Sequence, residues 1–209
     1  MTKHMVSYGK IMAGLLEFTD RLILTVSRWY YRNCFIFCER VRCRRLKIGS
    51  ANCFDVPVRG DGSGVLSIGS QNNFGFRPAP LLGNGQILLQ ARRPESELVI
   101  GSRNMFSNNV SIVATKRVII GNTCRFGDQV VIIDSDFHEI SPALRETNAG
   151  PSEPVYIGNN VWLGSRVMVL KGVTIGDNTV IGAMSLVNKS LPSNCVAAGN
   201  PAKVIRTIE

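Results

Sequence analysis

The stretch IGNNVWLGSRVMVLKGVTIGDNTVIGAMSLV, residues 157–187, decides the fold. An aliphatic residue recurs there at every sixth position: Ile157, Leu163, Val169, Ile175, Ile181 and Val187. A small or β-branched residue follows four places after each of the first five, at Val161, Val167, Val173, Thr179 and Ser185. Helices repeat near 3.6 residues and strands at 2, so a sustained period of six belongs to neither. With Gly at 158, 164, 176 and 182, it marks a hexapeptide-repeat β-helix. Each hexad supplies one short strand and a corner. Three hexads bring the chain back one layer higher and stack the aliphatics into a narrow prism. The glycines are expected at corners that need a positive φ.

The same register extends upstream. Ile-Gly coil starts stand at Ile48, Ile68, Ile100, Ile120, Ile157 and Ile175, so six coils are predicted over residues 48–209. Three hexads need eighteen residues, and the spacing exceeds that most at two places, where insertions are expected near 74–98 and 138–154. The first insertion contains Pro78, Pro80, Gly83 and Gly85, followed by an alternating run from Gln86 to Gln90, and reads as a protruding arm. Asn52, Asn72 and Asn104 each lie four residues after a coil-start Ile, which predicts a stacked, hydrogen-bonded ladder. Cys124 follows in the same position as a small buried residue.

Counting by six from Ile120 gives Phe126, Ile132 and then His138. An unpaired imidazole inside an aliphatic prism costs a few kcal/mol, so the chain is expected to leave the prism at His138. The histidine then stands at the root of a loop, with Asp134, Asp136 and Glu139 near enough to orient it. His4, the other histidine, lies in a terminus and is read as inert.

The net charge of +9 is unevenly placed. Residues 1–47 carry ten Lys or Arg against three acids, with a cluster at Arg40, Arg42, Arg44, Arg45 and Lys47, while the rest is nearly neutral. From Ile11 to about Val41, apolar residues recur at helical spacing, predicting a short segment of one or two helices. Arg28, Arg32 and Asn33 interrupt it too often for a membrane span. Three roles stay open for it. It caps the prism, packs on neighbouring subunits, or lies on an anionic bilayer through Trp29, Tyr30, Tyr31, Phe35 and Phe37. No nucleic-acid motif accompanies the charge. Six scattered cysteines and the lack of a leader pattern point to a reduced, cytoplasmic protein without metal, since Cys34, Cys38 and Cys43 have no histidine beside them. After Val187 the hexads stop, and residues 202–209 are expected to fold back as a capping segment.

The runs Ile157–Ser165, Gly172–Asn178 and Ala198–Arg206 strongly resemble the hexapeptide acyltransferases, and within them the galactoside, maltose and surface-polysaccharide O-acetyltransferases. The resemblance is tight over residues 100–209, loose over 48–99, and absent from 1–47. It implies a left-handed parallel β-helix, a homotrimer, and acetyl-CoA in the groove between neighbouring prisms. It also implies that His138 is the general base for a sugar hydroxyl, and the nearness of Asp136 and Glu139 in the sequence adds them as supporting carboxylates. The cofactor contacts carry over to Ser165, Ala183, Asn188, Lys189, Lys203 and Arg206, and the oxyanion is assigned to a backbone N–H at Ser165. Trp162 flanks the site. The galactoside type has an Asn-x-Asn pair one coil before its histidine. Counting without gaps puts Ser107 and Asn109 there, with Asn108 between them, as acceptor contacts. The run Asp134–His138 is closer to the surface-polysaccharide enzymes, whose acceptors are capsule, O-antigen or exopolysaccharide sugars.

Rival readings use the same histidine for N-acetylation of a nucleotide-linked amino sugar or for antibiotic acetylation. A trimeric scaffold without catalysis is a third. A zinc hydratase on this fold needs three histidines per metal, and the chain has two in all.

Overall fold

Each coil-start isoleucine lies on the one before it. Ile48 pairs with Ile68, Ile68 with Ile100, Ile100 with Ile120, Ile120 with Ile157, and Ile157 with Ile175, all in one parallel sheet. The computed structural model that gives this register describes residues 2–41, 45–78 and 84–209, and the side chains of the N-terminal helix from Leu16 onward. Arg42, Cys43, Arg44, Pro80 and Gly83, and the side chains of His4, Ile11 and Leu15, lie outside the described residues.

A helix, α1 (Thr2–Val41), leads into coil one, made of β1 (Arg45–Ile48), β2 (Cys53–Phe54) and β3 (Val58–Gly62). Coil two is β4 (Val65–Ile68), β5 (Asn73–Phe74) and β6 (Ile87–Ala91), and coil three is β7 (Glu97–Ile100), β8 (Met105–Phe106) and β9 (Ser111–Ala114). Coil four is β10 (Arg117–Ile120), β11 (Arg125–Phe126) and β12 (Val131–Ile133). Coil five is β13 (Val155–Ile157), β14 (Trp162–Leu163) and β15 (Met168–Val169). Coil six is β16 (Thr174–Ile175), β17 (Val180–Ile181) and β18 (Leu186–Val187). First, second and third strands stack into three separate sheets, the three walls of a left-handed parallel β-helix. The second sheet is completed by β19 (Cys195–Gly199) and by β20 (Ala202–Thr207), which pairs with β19 antiparallel. The expected capping tail is therefore a strand.

The interior is a set of columns. In the second wall Phe54, Phe74, Phe106 and Phe126 stack at centroid distances of 5.0, 5.1 and 4.5 Å, and Phe35 of α1 adds a fifth ring 5.6 Å from Phe54. Such contacts contribute about 0.5–1.5 kcal/mol each beyond their burial. The asparagine ladder runs beside them. Asn52 Oδ1 accepts from the Asn72 backbone N–H at 2.8 Å, Asn72 Oδ1 from Asn104 at 2.9 Å, and Asn104 Oδ1 from Cys124 at 2.7 Å. Each amide thus satisfies a backbone donor that the corner would otherwise leave unpaired.

The N-terminal segment is a single helix, within the one or two expected and unbroken over 40 residues, and three other expectations change. Helix-tolerant Arg28 and Arg32 interrupt its apolar runs without interrupting its hydrogen bonds. No helix among the described residues is long and apolar enough to cross a membrane. The prism begins at Arg45 rather than Ile48. The insertions are residues 75–86 and 134–154. The run Ile87–Ala91 is a wall strand whose Ile87 and Leu89 are fully buried, and the second loop leaves four residues before His138. Finally, the hexad glycines do not carry the positive φ. That falls on Asn160, Arg166, Asn178 and Met184. A Cβ at Gly164 would stand 2.6 Å from the Ala183 nitrogen, and one at Gly158 would overlap Asp177. These glycines are there because the next coil approaches too closely for a side chain.

Two measurements check this core. Asn72→Ala removes one acceptor and one donor from the ladder, and a loss of about 2–4 kcal/mol is expected from urea unfolding. Burial pushes the Cys124 thiol up to about 11 from 9.0. Folding therefore favours its neutral form, and that contribution is whole below pH 9 and lost as pH rises toward 11. At pH 8, alkylation mapped by mass spectrometry is expected to label exposed Cys38 and spare buried Cys124 and Cys195 in the folded protein.

Candidate active site

The root of the second loop is zipped shut. The Glu153 N–H donates to the Asp134 carbonyl at 2.9 Å, Ser152 Oγ to Ser135 Oγ at 3.1 Å, and the Asp136 N–H to the Pro151 carbonyl at 3.2 Å. Buried Asp134 takes three backbone N–H bonds from the corner below, from Thr115, Lys116 and Arg117 at 2.6, 2.7 and 2.7 Å. Asp134 thus ties the loop to coil three and does not orient the histidine.

His138 stands on this root with its side chain exposed. Its Nδ1 lies 3.3 Å from the Arg145 carbonyl oxygen. A carbonyl can only accept, so this contact puts the ring proton on Nδ1 and leaves the Nε2 lone pair free to take another. Close packing holds the backbone beneath it, where a Cβ at Gly150 would overlap the His138 carbonyl. Phe137, at φ 63°, lies under the Arg92 guanidinium at 4.4 Å. Asp136 pairs with Lys171 at 2.8 Å, and half-buried Glu139 sits beside the histidine. The imidazole is therefore oriented by a backbone carbonyl rather than by Asp136.

A second cluster lies one corner away, between the second and third walls. There Ser107, Trp162 and Ser165 line a cavity of about 310 Å³ together with Phe76, Arg125, Gly127 and Asp128. Among the described residues no backbone carbonyl accepts from the Ser165 N–H. Asn109 Nδ2 reaches Asp128 at 3.4 Å. Asn108 is fully buried and clamps the arm, accepting from the Phe76 N–H at 3.1 Å and donating to its carbonyl at 3.2 Å. Its amide is committed to the protein.

The sequence reading missed Arg92, Lys171 and Asp128. Asp128 had a usable signal: it stands eight residues after Ile120, as Asn108, Ser165 and Ala183 stand eight after Ile100, Ile157 and Ile175. Of the expected cofactor contacts, Ser165 and Ala183 share this column, and exposed Lys203 and Arg206 lie on β20 of the same wall. Asn188 and Lys189 follow β18 at the corner that carries His138. Lys189, Lys203 and Arg206 form no ion pair among the described residues. One copy of the chain thus presents the expected residues on two separate edges.

Residues 154–189 match the family described as "Bacterial transferase hexapeptide (six repeats)". Galactoside O-acetyltransferase of Lactococcus lactis is 48% identical over 100 residues, 48% of each chain, and that of Escherichia coli is 46% identical over 114, covering 54% of this chain and 55% of the other. The chain therefore spans about half the length of these curated relatives. A solved galactoside acetyltransferase in complex with coenzyme A is 32% identical, with TM-score 0.53, over 78% of this chain and 65% of that one.

Replacing Asp134 by Ala leaves three corner N–H groups without their acceptor. Proteolysis within residues 134–154 is expected to quicken at least tenfold while the unfolding midpoint also falls, as timed digestion and thermal melts would record. This chain, then, carries the bacterial transferase hexapeptide repeat on the same β-helix as the galactoside acetyltransferases it resembles.

Proposed function

We propose that the chain is an acetyl-CoA-dependent O-acetyltransferase with a sugar hydroxyl as acceptor and His138 as general base. The observation that carries this reading is the Arg145 carbonyl at His138 Nδ1, which leaves Nε2 as a proton acceptor on an exposed, rigidly rooted loop. Nε2 takes the hydroxyl proton as the sugar oxygen attacks the thioester carbonyl carbon. The oxyanion of the tetrahedral intermediate is held by the Ser165 N–H. The carbon–sulfur bond then breaks, the acetyl ester remains on the sugar, and the imidazolium returns its proton to the departing thiolate. General base help of this kind is worth roughly 10²- to 10⁴-fold.

The division of residues over two edges favours a homotrimer in which the site forms between copies, with the His138 corner of one facing the Ser107, Trp162 and Ser165 cavity of the next. The cofactor lies in that groove. Free Lys189, Lys203 and Arg206 take its phosphates, and Ala183 and Asn188 take its pantetheine arm. Ser107 and Asn109 contact the acceptor, while Asn108 serves the arm. The acceptor is a surface polysaccharide or its lipid-linked precursor, modified on the cytoplasmic side where acetyl-CoA is available. The basic N-terminal segment suits that substrate class.

Release of free CoA thiol from acetyl-CoA, followed over sugars, nucleotide amino sugars and isolated glycan, tests the reading. Acceptor-dependent release is expected for wild type and a loss of at least roughly 10²-fold for His138→Ala. Product that survives mild alkali would instead mean N-acetylation. Equal rates for both proteins on every acceptor would remove the enzyme reading.

A further inference from the structure

α1 has one side on the protein and an apolar side on nothing. Its inner side crosses the open end of coil one. Arg28 pairs with Asp55, Phe35 is buried on Phe54, and buried Glu39 fills the space where a Cβ at Gly60 would stand. On the outer side Leu22, Ile23, Val26, Trp29, Tyr30 and Phe37 are 54%, 57%, 56%, 66%, 56% and 67% exposed. At about 100° per residue these six fall in one stripe roughly 120° wide, centred roughly opposite Phe35. Because α1 lies across the end of the prism, the stripe faces away from the end of the molecule.

We propose that this stripe seats the protein on an anionic phospholipid surface. The chemistry of the flanks fits. Arg40 is exposed within the stripe at the angle of Leu22, Arg32 is exposed about 60° beyond its Trp29 edge, and Arg21 is exposed further round at the angle of Glu39; none of the three forms an ion pair among the described residues. The other flank carries Asp20 and Ser27, and Glu17 points the opposite way, toward the inner side. Trp29 and Tyr30 combine an apolar ring with a polar group, the pairing that suits the headgroup boundary. The stripe makes a poor seam for a second copy of the helix. With Leu16, Ile23, Tyr30 and Phe37 as one heptad position, the complementary position holds Thr19, Val26, Asn33 and Arg40, of which only Val26 is apolar.

The test is flotation of the full chain with vesicles of phosphatidylcholine alone and of phosphatidylcholine with phosphatidylglycerol. Binding to the anionic vesicles is expected to exceed binding to the neutral ones by roughly tenfold or more, and to weaken with added salt. The double variant Ile23→Glu/Val26→Glu is expected to lose at least roughly tenfold in binding, with an unchanged thermal midpoint because both positions are exposed. The triple variant Arg21→Ala/Arg32→Ala/Arg40→Ala is expected to lose the preference for anionic vesicles. Wild type left unbound by both vesicles would overturn the proposal. So would a fall in oligomeric mass of the Glu variants by analytical ultracentrifugation, which would make the stripe an interface between copies.

Discussion

Adjacent coils sit one strand spacing apart, about 4.8 Å, and nearly every choice in the prism follows from that distance. It leaves no room for a Cβ at Gly158, Gly164 and Gly176, each of which would strike the next layer. It brings like residues face to face, so phenylalanines stack as rings and asparagines pass hydrogen bonds up the column. It also confines every excursion to a corner, because a residue inserted within a wall would shift all later side chains to the opposite face. The positive φ at Asn160, Arg166, Asn178 and Met184 repeats for the same reason. A turn tight enough to keep the spacing places one residue in the left-handed region, and the glycine slot is already taken by the demand for contact.

That constraint explains what could be read in advance. The six isoleucines and the ladder at 52, 72 and 104 were legible because inward packing imposes the count of six on the sequence. The count resets after an insertion of unknown length, so the alternating run before Gln90 looked like part of an arm although it is a wall strand. His138 could be singled out as the residue that breaks register. Its neighbours could not be sorted, since Asp136 finds Lys171 one coil away and the histidine finds a carbonyl seven residues on, within a loop that has no period. Asn108 and Asp128 shared a column that was visible in the spacing. Which of them is sealed under the arm depends on Phe76, and no repeat predicts that.

The two insertions divide labour. The walls carry the burial and the columns and tolerate little change. The corners carry the two insertions, one between β5 and β6 and one between β12 and β13, on the two edges that bound the third wall. Two buried polar side chains fasten them to the rungs, Asn108 through Phe76 and Asp134 through the corner below. Rigid rungs with projecting corners give a scaffold that presents side chains at defined heights.

The helix lying across coil one has one more consequence. The strands β1, β2 and β3 are the outermost members of three parallel sheets. A solenoid with a bare sheet end offers a template for the next molecule, and head-to-tail stacking would turn a discrete particle into a growing fibre. α1 packs over β2 and β3, and at the far end β20 runs against the direction of the coils. At one end α1 covers two of the three sheets, and at the other β20 closes the second sheet, so the elements that break the repeat stand where a further rung would otherwise add.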